Sequence, residues 1–354
     1  MSTTVERIRA FLKDGEAALI TTPYNRRYVT GFSSSAGTVV VTPGSADFII
    51  DFRYHEMAKA AVQGLNVVLQ DKLYEQITGL LKKAGARTVY VENLVTVEEM
   101  EDWAARLPDF EIRASRGLTA LLVELRSIKT EAELACMDRA QQITDYAFSQ
   151  IVRFIRPGMT ELEIAAEMEY IMKKQGAVEF AFETICVSGE NSSKPHGVPG
   201  DRCVQPGDFI TMDFGARYNG YCSDMTRTVA VGHVTDEMKR VYETVLKAQL
   251  ETIAISKAGV RGCEMDARAR GIINEAGYEG CFGHGLGHSV GLEIHEWPRA
   301  SAACDEILKP GMLMTVEPGI YLPGRFGVRI EDMVVITETG CRDFTQSPKQ
   351  LIIL

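Results

Sequence analysis

The order of the predicted elements repeats once in the second part of the chain, which limits the folds that the chain can adopt. Helices are predicted to start at Thr130 and Thr160, because each threonine has a glutamate three residues later, as in a capping box. A strand-rich block follows at about 183–231, then two further helices at about 236–257 and 264–275, then a second strand-rich block at about 281–336. The sequence therefore predicts two similar halves, each a helix pair with strands, in a domain that spans 127–354.

The first part of the chain has a different pattern, in which short strands and short helices alternate. Apolar segments such as 18–22 and 38–42 are bounded by Gly, Pro and Ser, and 73–83 has helical spacing. This alternation is typical of an α/β domain, which we expect at 1–122. Its glycines do not fit a nucleotide-binding fingerprint and are interpreted as turn residues. The predicted fold class is therefore α/β followed by a pseudo-symmetric α+β domain.

Composition and charge restrict the classes of function. The chain has 354 residues, 45% hydrophobic and 24% charged, as in soluble globular proteins. A net charge of −10 without a cluster of Lys and Arg argues against nucleic acid as a partner. No apolar run approaches the roughly 20 residues that cross a bilayer, and the N-terminus has no signal-peptide core. We therefore expect a cytoplasmic protein that has neither nucleic acid nor a membrane as its partner.

Four acidic residues lie in apolar or turn-rich segments. Asp213 and Asp224 flank the turn formers of MDFGARYNGYCSD, which predicts a β-hairpin with both carboxylates side by side. Glu317 lies in TVEPGIY and Glu331 in GVRIED, where strand alternation would place Arg329 on the same face as Glu331. The simplest alternatives are solvent-exposed acids and a surface Arg–Glu pair. A buried carboxylate without a partner costs several kcal/mol, however, and a bound cation removes that cost.

Histidines are concentrated close to these acids. His284, His288 and His295 account for three of the six histidines of the chain and share a glycine-rich segment, HGLGHSVGLEIH, while His196 lies in a Pro/Gly loop. The glycines disfavour a helix, so the first two do not form the helical zinc motif HExxH. A single histidine is more often structural, but three in such a segment indicate a site. Four carboxylates and one imidazole suit a pair of hard divalent cations, which activate water, so the sequence predicts metal-assisted hydrolysis.

The motifs resemble those of a known family. MDFG…CSDMTRT, HGLGHSVGLEIHE, TVEPGIY and GVRIED are similar, in this order, to the metal-ligand motifs of the pita-bread metallopeptidases. YVTGFSSSAGTVVV and FIIDFRYHEMA resemble the creatinase-type N-terminal domain, and this pairing is similar to the Xaa-Pro peptidases, prolidase and aminopeptidase P. The resemblance implies that five residues are metal ligands: Asp213, Asp224, His288, Glu317 and Glu331. It implies active-site roles for His196, His284, His295 and Arg329, with Tyr321 and Thr226 helping Arg329 to orient the ligands.

The same resemblance implies a dinuclear-metal hydrolase that cleaves Xaa-Pro peptide bonds by a metal-bridging hydroxide, as a dipeptidase or an aminopeptidase. The oxygen-rich ligand set favours two Mn²⁺ ions, with Co²⁺ or Zn²⁺ as alternatives. Short proline-containing peptides are the expected partners, and the family resemblance implies a homodimer. Three alternatives stay open: a methionine aminopeptidase, an amidinohydrolase-like relative, and a noncatalytic peptide-binding protein of the same fold.

Overall fold

A computed structural model describes residues 3–354, which form two compact units. The first unit ends at Arg126 and the second covers Ser127–Leu354. The first two residues of the domain expected at 1–122 lie outside the described residues. Between residues 3 and 354, none of the helices combines the length and apolar character that crossing a membrane requires.

The first unit is built on one mixed six-stranded sheet. Its helices are α1 (Thr4–Phe11), α2 (Pro23–Thr30), α3 (Phe52–Ala61), α4 (Leu73–Lys83), α5 (Val97–Arg106) and α6 (Arg116–Ser127), which continues across the boundary. Its strands are β1 (Glu16–Ile20), β2 (Thr38–Val41), β3 (Ala46–Ile50), β4 (Asn66–Leu69), β5 (Thr88–Glu92) and β6 (Glu111–Ser115), in the spatial order β4-β3-β2-β1-β5-β6. The alternation expected from the sequence is confirmed.

Both faces of the central strands of this sheet are buried. Along β1, Ala18 and Ile20 pack into one apolar cluster, while Ala17 and Leu19 pack into another. Successive side chains of a strand point to opposite faces, so a strand with two covered faces is apolar throughout. This explains why the segment at 18–22 shows a continuous apolar run rather than an alternating pattern.

Helices α2 and α5 were not predicted from the sequence, although each has a local signal. Helix α2 has Pro23 at its first turn and ends at Gly31, which adopts a left-handed conformation with φ 66°. Helix α5 begins with a capping box between Thr96 and Glu99.

The second unit repeats one order of elements, as predicted. The first half contains α7 (Glu131–Phe154), α8 (Glu161–Lys174), β7 (Glu179–Phe180), β8 (Ile185–Ser188), β9 (Phe209–Phe214), β10 (Ala216–Tyr218), β11 (Tyr221–Cys222) and β12 (Met225–Ala230). The second half contains α9 (Asp236–Ile255), α10 (Gly262–Glu275), β13 (Gly287–Ser289), β14 (Glu296–Ala300), β15 (Leu313–Val316), β16 (Gly319–Leu322), β17 (Phe326–Arg329), β18 (Asp332–Ile336) and β19 (Cys341–Asp343). Both capping boxes, at Thr130 and at Thr160, are present.

Each half of this unit has its own apolar core. Helices α7 and α8 pack on β9 and β12 through residues such as Ile151, Met168 and Met212. Helices α9 and α10 pack on β15 and β18 through residues such as Val245 and Met314. Two helix-covered sheets in one unit correspond to the pseudo-symmetric α+β arrangement expected from the sequence.

The segment between Asp213 and Asp224 is more complex than the single hairpin that was predicted. Strand β9 pairs with β12, but the residues between them form a second, separate ladder of β10 and β11. Its turn uses Asn219 and Gly220, whose φ angles of 44° and 80° suit a tight type I′ turn. The chain crosses from one ladder to the other at Gly215, where a Cβ would lie 1.9 Å from the Ser223 carbonyl oxygen. Only glycine permits this crossing, which keeps both acids at the same end of the ladder formed by β9 and β12.

Candidate active site

A cavity of about 560 Å³ lies in the second unit and is lined by residues from both of its halves. All nine site residues predicted from the sequence line it: His196, Asp213, Asp224, His284, His288, His295, Glu317, Arg329 and Glu331. The two strand-rich blocks thus face one another across one cavity.

The four acids lie in or next to two strand pairs, one pair in each half. Asp213 pairs with Thr226 across β9 and β12, and Asp224 immediately precedes β12. In the second half, Val316 pairs with Asp332, so Glu317 and Glu331 extend this pair by one step. Asp213 lies within β9, and the other three acids each lie one residue outside a paired strand, so backbone pairing restricts the positions of all four carboxylates.

Three of these carboxylates converge. One oxygen each from Asp213, Asp224 and Glu331 lies within 4.8 Å of the other two. Asp213 Oδ2 accepts from Arg329 Nη2 at 2.6 Å, whereas Asp213 Oδ1 is buried and has no hydrogen-bond partner. Glu331 Oε2 accepts from the Thr226 hydroxyl at 2.6 Å. The cluster concentrates negative charge that the nearby donors only partly satisfy.

The remaining two predicted ligands, His288 and Glu317, lie close to these three carboxylates. His288 Nε2 lies 3.6 Å from Asp224 Oδ2 and 3.4 Å from Glu317 Oε1. His288 Nδ1 lies 3.1 Å from the carbonyl oxygen of Ser289, so Nδ1 carries the proton and Nε2 presents its lone pair to the acids. Thr315, which sequence reasoning missed, accepts from the His288 backbone N–H and donates to Glu317. Strand alternation could have identified it, since it lies two residues before Glu317.

Burial shifts the pKa values of this group. Burial raises the pKa of Asp224 well above its usual range, as do the nearby charges of Glu331 and Asp213. Burial likewise raises the pKa of Glu331, and it raises the pKa of Glu317 to about 8. Burial lowers the pKa of His288 to about 3, so its imidazole is neutral. Burial therefore disfavours the charged form of each of these groups.

Arg329 lies on the other side of the acids and is 3% exposed. Arg329 and Glu331 both face the cavity, as expected, although Glu331 lies between β17 and β18 rather than within a strand. The ion pair of Arg329 is with Asp213. Arg329 Nε donates to Thr226 Oγ1, whose hydroxyl donates to Glu331, so one threonine links the two residues.

The three other histidines differ in what their rings contact. His284 Nδ1 donates to the Gly285 carbonyl at 2.8 Å, so Nε2 is left to accept from the Tyr321 hydroxyl at 2.9 Å. Burial lowers the pKa of His284 to about 4, which keeps its ring neutral. The His295 ring lies edge-on to His288 at 4.5 Å between centroids, and His196 is exposed on a loop at the cavity. His196 and His295 are therefore placed to meet a ligand in the cavity, whereas both ring nitrogens of His284 are already used.

These residues fit a bound divalent metal. The donors that converge are carboxylate oxygens and one neutral imidazole nitrogen, which are the donors that Mn²⁺ and similar ions accept. The buried and unpartnered Asp213 Oδ1 provides an acceptor that only a cation or a donor from outside the described residues could satisfy.

Two family models match most of the chain. Residues 135–338 match Metallopeptidase family M24, and residues 5–128 match the Creatinase/Prolidase N-terminal domain. The chain is 37% identical to the Xaa-Pro dipeptidase of Pyrococcus furiosus, over 99% of this chain and 100% of that protein.

Solved structures are similar over almost the whole chain. The Xaa-Pro dipeptidase from Bacillus anthracis is 42% identical with a TM-score of 0.95 and covers 99% of each chain. The X-Pro aminopeptidase from Thermotoga maritima is 36% identical with a TM-score of 0.92, over 98% of this chain and 100% of that one. The family and fold class expected from the sequence are confirmed. The chain belongs to metallopeptidase family M24, and its peptidase domain follows a creatinase/prolidase N-terminal domain.

Proposed function

We propose that this protein is a metal-dependent peptidase that cleaves the bond between an amino acid and a following proline in short peptides. The observation that carries the proposal is the convergence of Asp213, Asp224 and Glu331 on one cavity, with a buried oxygen of Asp213 left without a donor. The substrate class is supported by similar proteins that are named Xaa-Pro dipeptidase or X-Pro aminopeptidase. The dipeptidase names favour a dipeptide as the preferred substrate.

Five side chains would hold the metal: Asp213, Asp224, His288, Glu317 and Glu331. Their four carboxylates favour two Mn²⁺ ions, with Co²⁺ or Zn²⁺ as alternatives. When bound, such ions lower the pKa of a water molecule and polarise the carbonyl of the bond to be cleaved.

The surrounding residues hold these ligands in place. Arg329 fixes one oxygen of Asp213, which leaves the other directed to the metal. Thr226 fixes Glu331, and the Ser289 carbonyl fixes the tautomer of His288. His284 would act as a positioning residue, because it holds the Tyr321 hydroxyl that accepts from Arg329 Nη1 at 2.9 Å.

Glu317 would move the proton. Burial raises its pKa to about 8 in the metal-free protein, and a bound cation would lower that pKa, so Glu317 would be a carboxylate that is able to accept a proton. The proline nitrogen becomes a secondary amine when the bond breaks and needs that proton. An Xaa-Pro bond is a tertiary amide without an N–H, so recognition must use the carbonyl and the peptide termini.

His196 and His295 would contact the substrate. Each offers a ring N–H in the cavity to the oxyanion that forms at the attacked carbonyl, or to a carboxylate of the peptide. A positioned donor of this kind typically contributes about 2.7–4 kcal/mol to stabilising the transition state.

A chelation and substrate panel tests the proposal. The protein is stripped of metal, Mn²⁺ is added back, and hydrolysis of Ala-Pro, Ala-Pro-Ala, Met-Ala and creatine is measured. We expect cleavage of Ala-Pro only after metal is restored, and Ala-Pro-Ala decides between dipeptidase and aminopeptidase. Glu331→Ala should lose both metal and activity, whereas Glu338→Ala, an exposed acid on the same segment, should lose neither.

Other outcomes would contradict the proposal. Cleavage of Met-Ala alone would indicate a methionine aminopeptidase, and cleavage of creatine alone an amidinohydrolase. Metal-independent peptide binding without hydrolysis would indicate a noncatalytic protein.

The assembly and location expected from the sequence remain part of the proposal. We propose a homodimer in the cytoplasm. Sedimentation velocity at micromolar concentration should give twice the mass of the 39.1 kDa chain, and a single species at the chain mass would contradict it.

A further inference from the structure

One buried carboxylate outside the cavity joins both ends of the loop that carries His196. Glu161 is the first residue of α8, and its side chain is fully buried. Its Oε1 accepts from the Ser188 backbone N–H at 2.6 Å, from the Ser188 hydroxyl at 2.8 Å and from the Asn191 side-chain amide at 3.2 Å. Its Oε2 accepts from the Gly200 backbone N–H at 3.1 Å. We call residues 188–200 the His196 loop.

The ends of the His196 loop therefore meet at a single side chain. Ser188 is the last residue of β8, where the loop begins, and Gly200 is where it ends. The backbone adds to this junction, because Leu162 N–H donates to the Gly200 carbonyl at 3.2 Å. Both ends of the loop are thus attached to the first turn of α8.

The middle of the loop packs closely while the His196 side chain remains exposed. Arg329 Nη1 donates to the Pro195 carbonyl at 3.3 Å, and Gly327 N–H donates to the Ser192 hydroxyl at 2.9 Å. A Cβ at Gly197 would lie 2.8 Å from the Val187 side chain. The backbone around His196 is therefore held against the same strand that provides Arg329.

The surroundings of Glu161 explain why a buried acid is stable there. Each hydrogen bond to Glu161 described above comes from a donor group, and a carboxylate can accept through both of its oxygens. The first turn of a helix also favours negative charge, because its backbone N–H groups point towards it. Burial of a carboxylate is costly without such partners, so the position specifically requires an acceptor with two oxygens at this distance.

We propose that Glu161 is a positioning residue for His196: by joining the two ends of the His196 loop, it holds the imidazole at the distance from the acidic cluster that catalysis requires. The inference rests on the proposed function of His196. Fixing the ends of a loop removes conformational freedom before substrate binds, so this freedom is not lost during the reaction.

A double-mutant cycle between Glu161→Gln and His196→Ala tests the inference on Ala-Pro hydrolysis. Glutamine keeps the shape of Glu161 but puts an NH₂ group against backbone N–H donors, which opens the loop. We expect Glu161→Gln to lower kcat/KM by about 10²-fold in the wild-type background. In the His196→Ala background it should lower kcat/KM by less than about threefold, because the group that it positions is already absent. Equal losses in both backgrounds would overturn the inference, since Glu161 would then be purely structural.

A matched control separates positioning from a general loss of stability. Glu92 in the first unit is also fully buried and accepts from backbone N–H groups, a hydroxyl and an asparagine amide. Glu92→Gln should leave kcat/KM within about twofold of the wild type, while metal content should stay unchanged in both variants.

Hydrogen exchange gives a readout that does not depend on activity. Amides of the His196 loop should exchange about tenfold faster or more in Glu161→Gln than in the wild type, and unchanged rates would overturn the inference. If the wild type does not cleave Ala-Pro, the proposed function fails, while the exchange rates still decide whether Glu161 holds the loop. If Glu161→Gln does not fold, Asn191→Ala replaces it in the same cycle, because Asn191 is only half-buried and provides a single donor group.

Discussion

Buried carboxylates occur in both units of this protein, but their surroundings differ. In the first unit, Glu92 accepts from the backbone N–H groups of Thr21 and Thr22, from the Thr22 hydroxyl and from the Asn25 amide. In the second unit, Glu161 is satisfied in a similar way. The fold itself provides hydrogen-bond donors to carboxylates of this kind, so these acids stabilise the folded protein.

The acids of the cavity show the opposite arrangement. Asp224 and Glu331 are as buried as Glu92, yet their ligand atoms face one another and Asp213. The backbone, hydroxyl and amide donors that surround Glu92 are largely replaced here by other carboxylates. The comparison teaches that burial alone does not identify a functional acid. The distinguishing feature is burial beside other carboxylates with too few donors, because such a cluster needs a cation to balance its charge.

The largest effect is expected from Asp224→Asn, which removes one charge from the cavity. We expect kcat/KM on Ala-Pro to fall by roughly 10³-fold or more, about 4 kcal/mol of transition-state stabilisation. Excess Mn²⁺ should raise the thermal midpoint of the chelated wild type, since binding at 100 times Kd contributes about 2.7 kcal/mol, but not that of the variant.

Asp224→Asn should also change the thermal stability of the metal-free protein. In chelated protein, Asp224→Asn should unfold at a higher temperature than the wild type, because it relieves repulsion among buried carboxylates. Differential scanning fluorimetry with excess chelator measures this. A lower midpoint would mean that Asp224 is a structural acid like Glu92, and the distinction between the two regions would be lost.

Glu296 is a third kind of buried acid, because a cation from the chain itself, Lys129, lies beside it. Lys129 Nζ lies 3.0 Å from Glu296 Oε2 and 3.0 Å from the Ser289 hydroxyl, and both charged side chains are at most 3% exposed. Lys129→Met should lower the free energy of unfolding by about 3–5 kcal/mol, since Glu296 would lose the ammonium group that lies 3.0 Å from its carboxylate. Urea denaturation measures the loss.

The double variant Lys129→Met with Glu296→Gln provides the control for this prediction. The glutamine oxygen can still accept from the backbone N–H groups of Leu292 and Glu293, while no charge remains buried. Most of the lost stability should therefore return. If the double variant is no more stable than Lys129→Met, the loss comes from packing rather than from the broken ion pair.

The smallest effect on activity is expected from Glu92→Gln. One oxygen acceptor becomes a donor that faces backbone N–H groups, so the free energy of unfolding should fall by about 1–3 kcal/mol. Chemical denaturation with and without Mn²⁺ should show the same loss, because Glu92 takes no part in metal binding. A loss that disappears with metal would link Glu92 to the site and weaken the comparison.

Local patterns in the sequence predicted most of the elements and the candidate acids of the site. The capping boxes at Thr130 and Thr160 mark helix starts because their hydrogen bonds join residues only three positions apart. Asp213 and Glu331 stood out because each acid interrupts an apolar run, and a buried charge needs a partner wherever the chain folds. The repeated order of helices and strands predicted two halves for the same reason.

Only the tertiary structure decided which residues became partners. Arg329 pairs with Asp213, 116 positions away, rather than with Glu331 two positions away, and Lys129 reaches Glu296 across 167 positions. Glu161 resembles any acid in the first turn of a helix until the His196 loop folds onto it. Periodicity and capping depend on neighbours within a few residues, so the sequence alone determined most of the elements and the candidate acids. Hydrogen bonds between distant segments depend on how the halves pack, which no local pattern records.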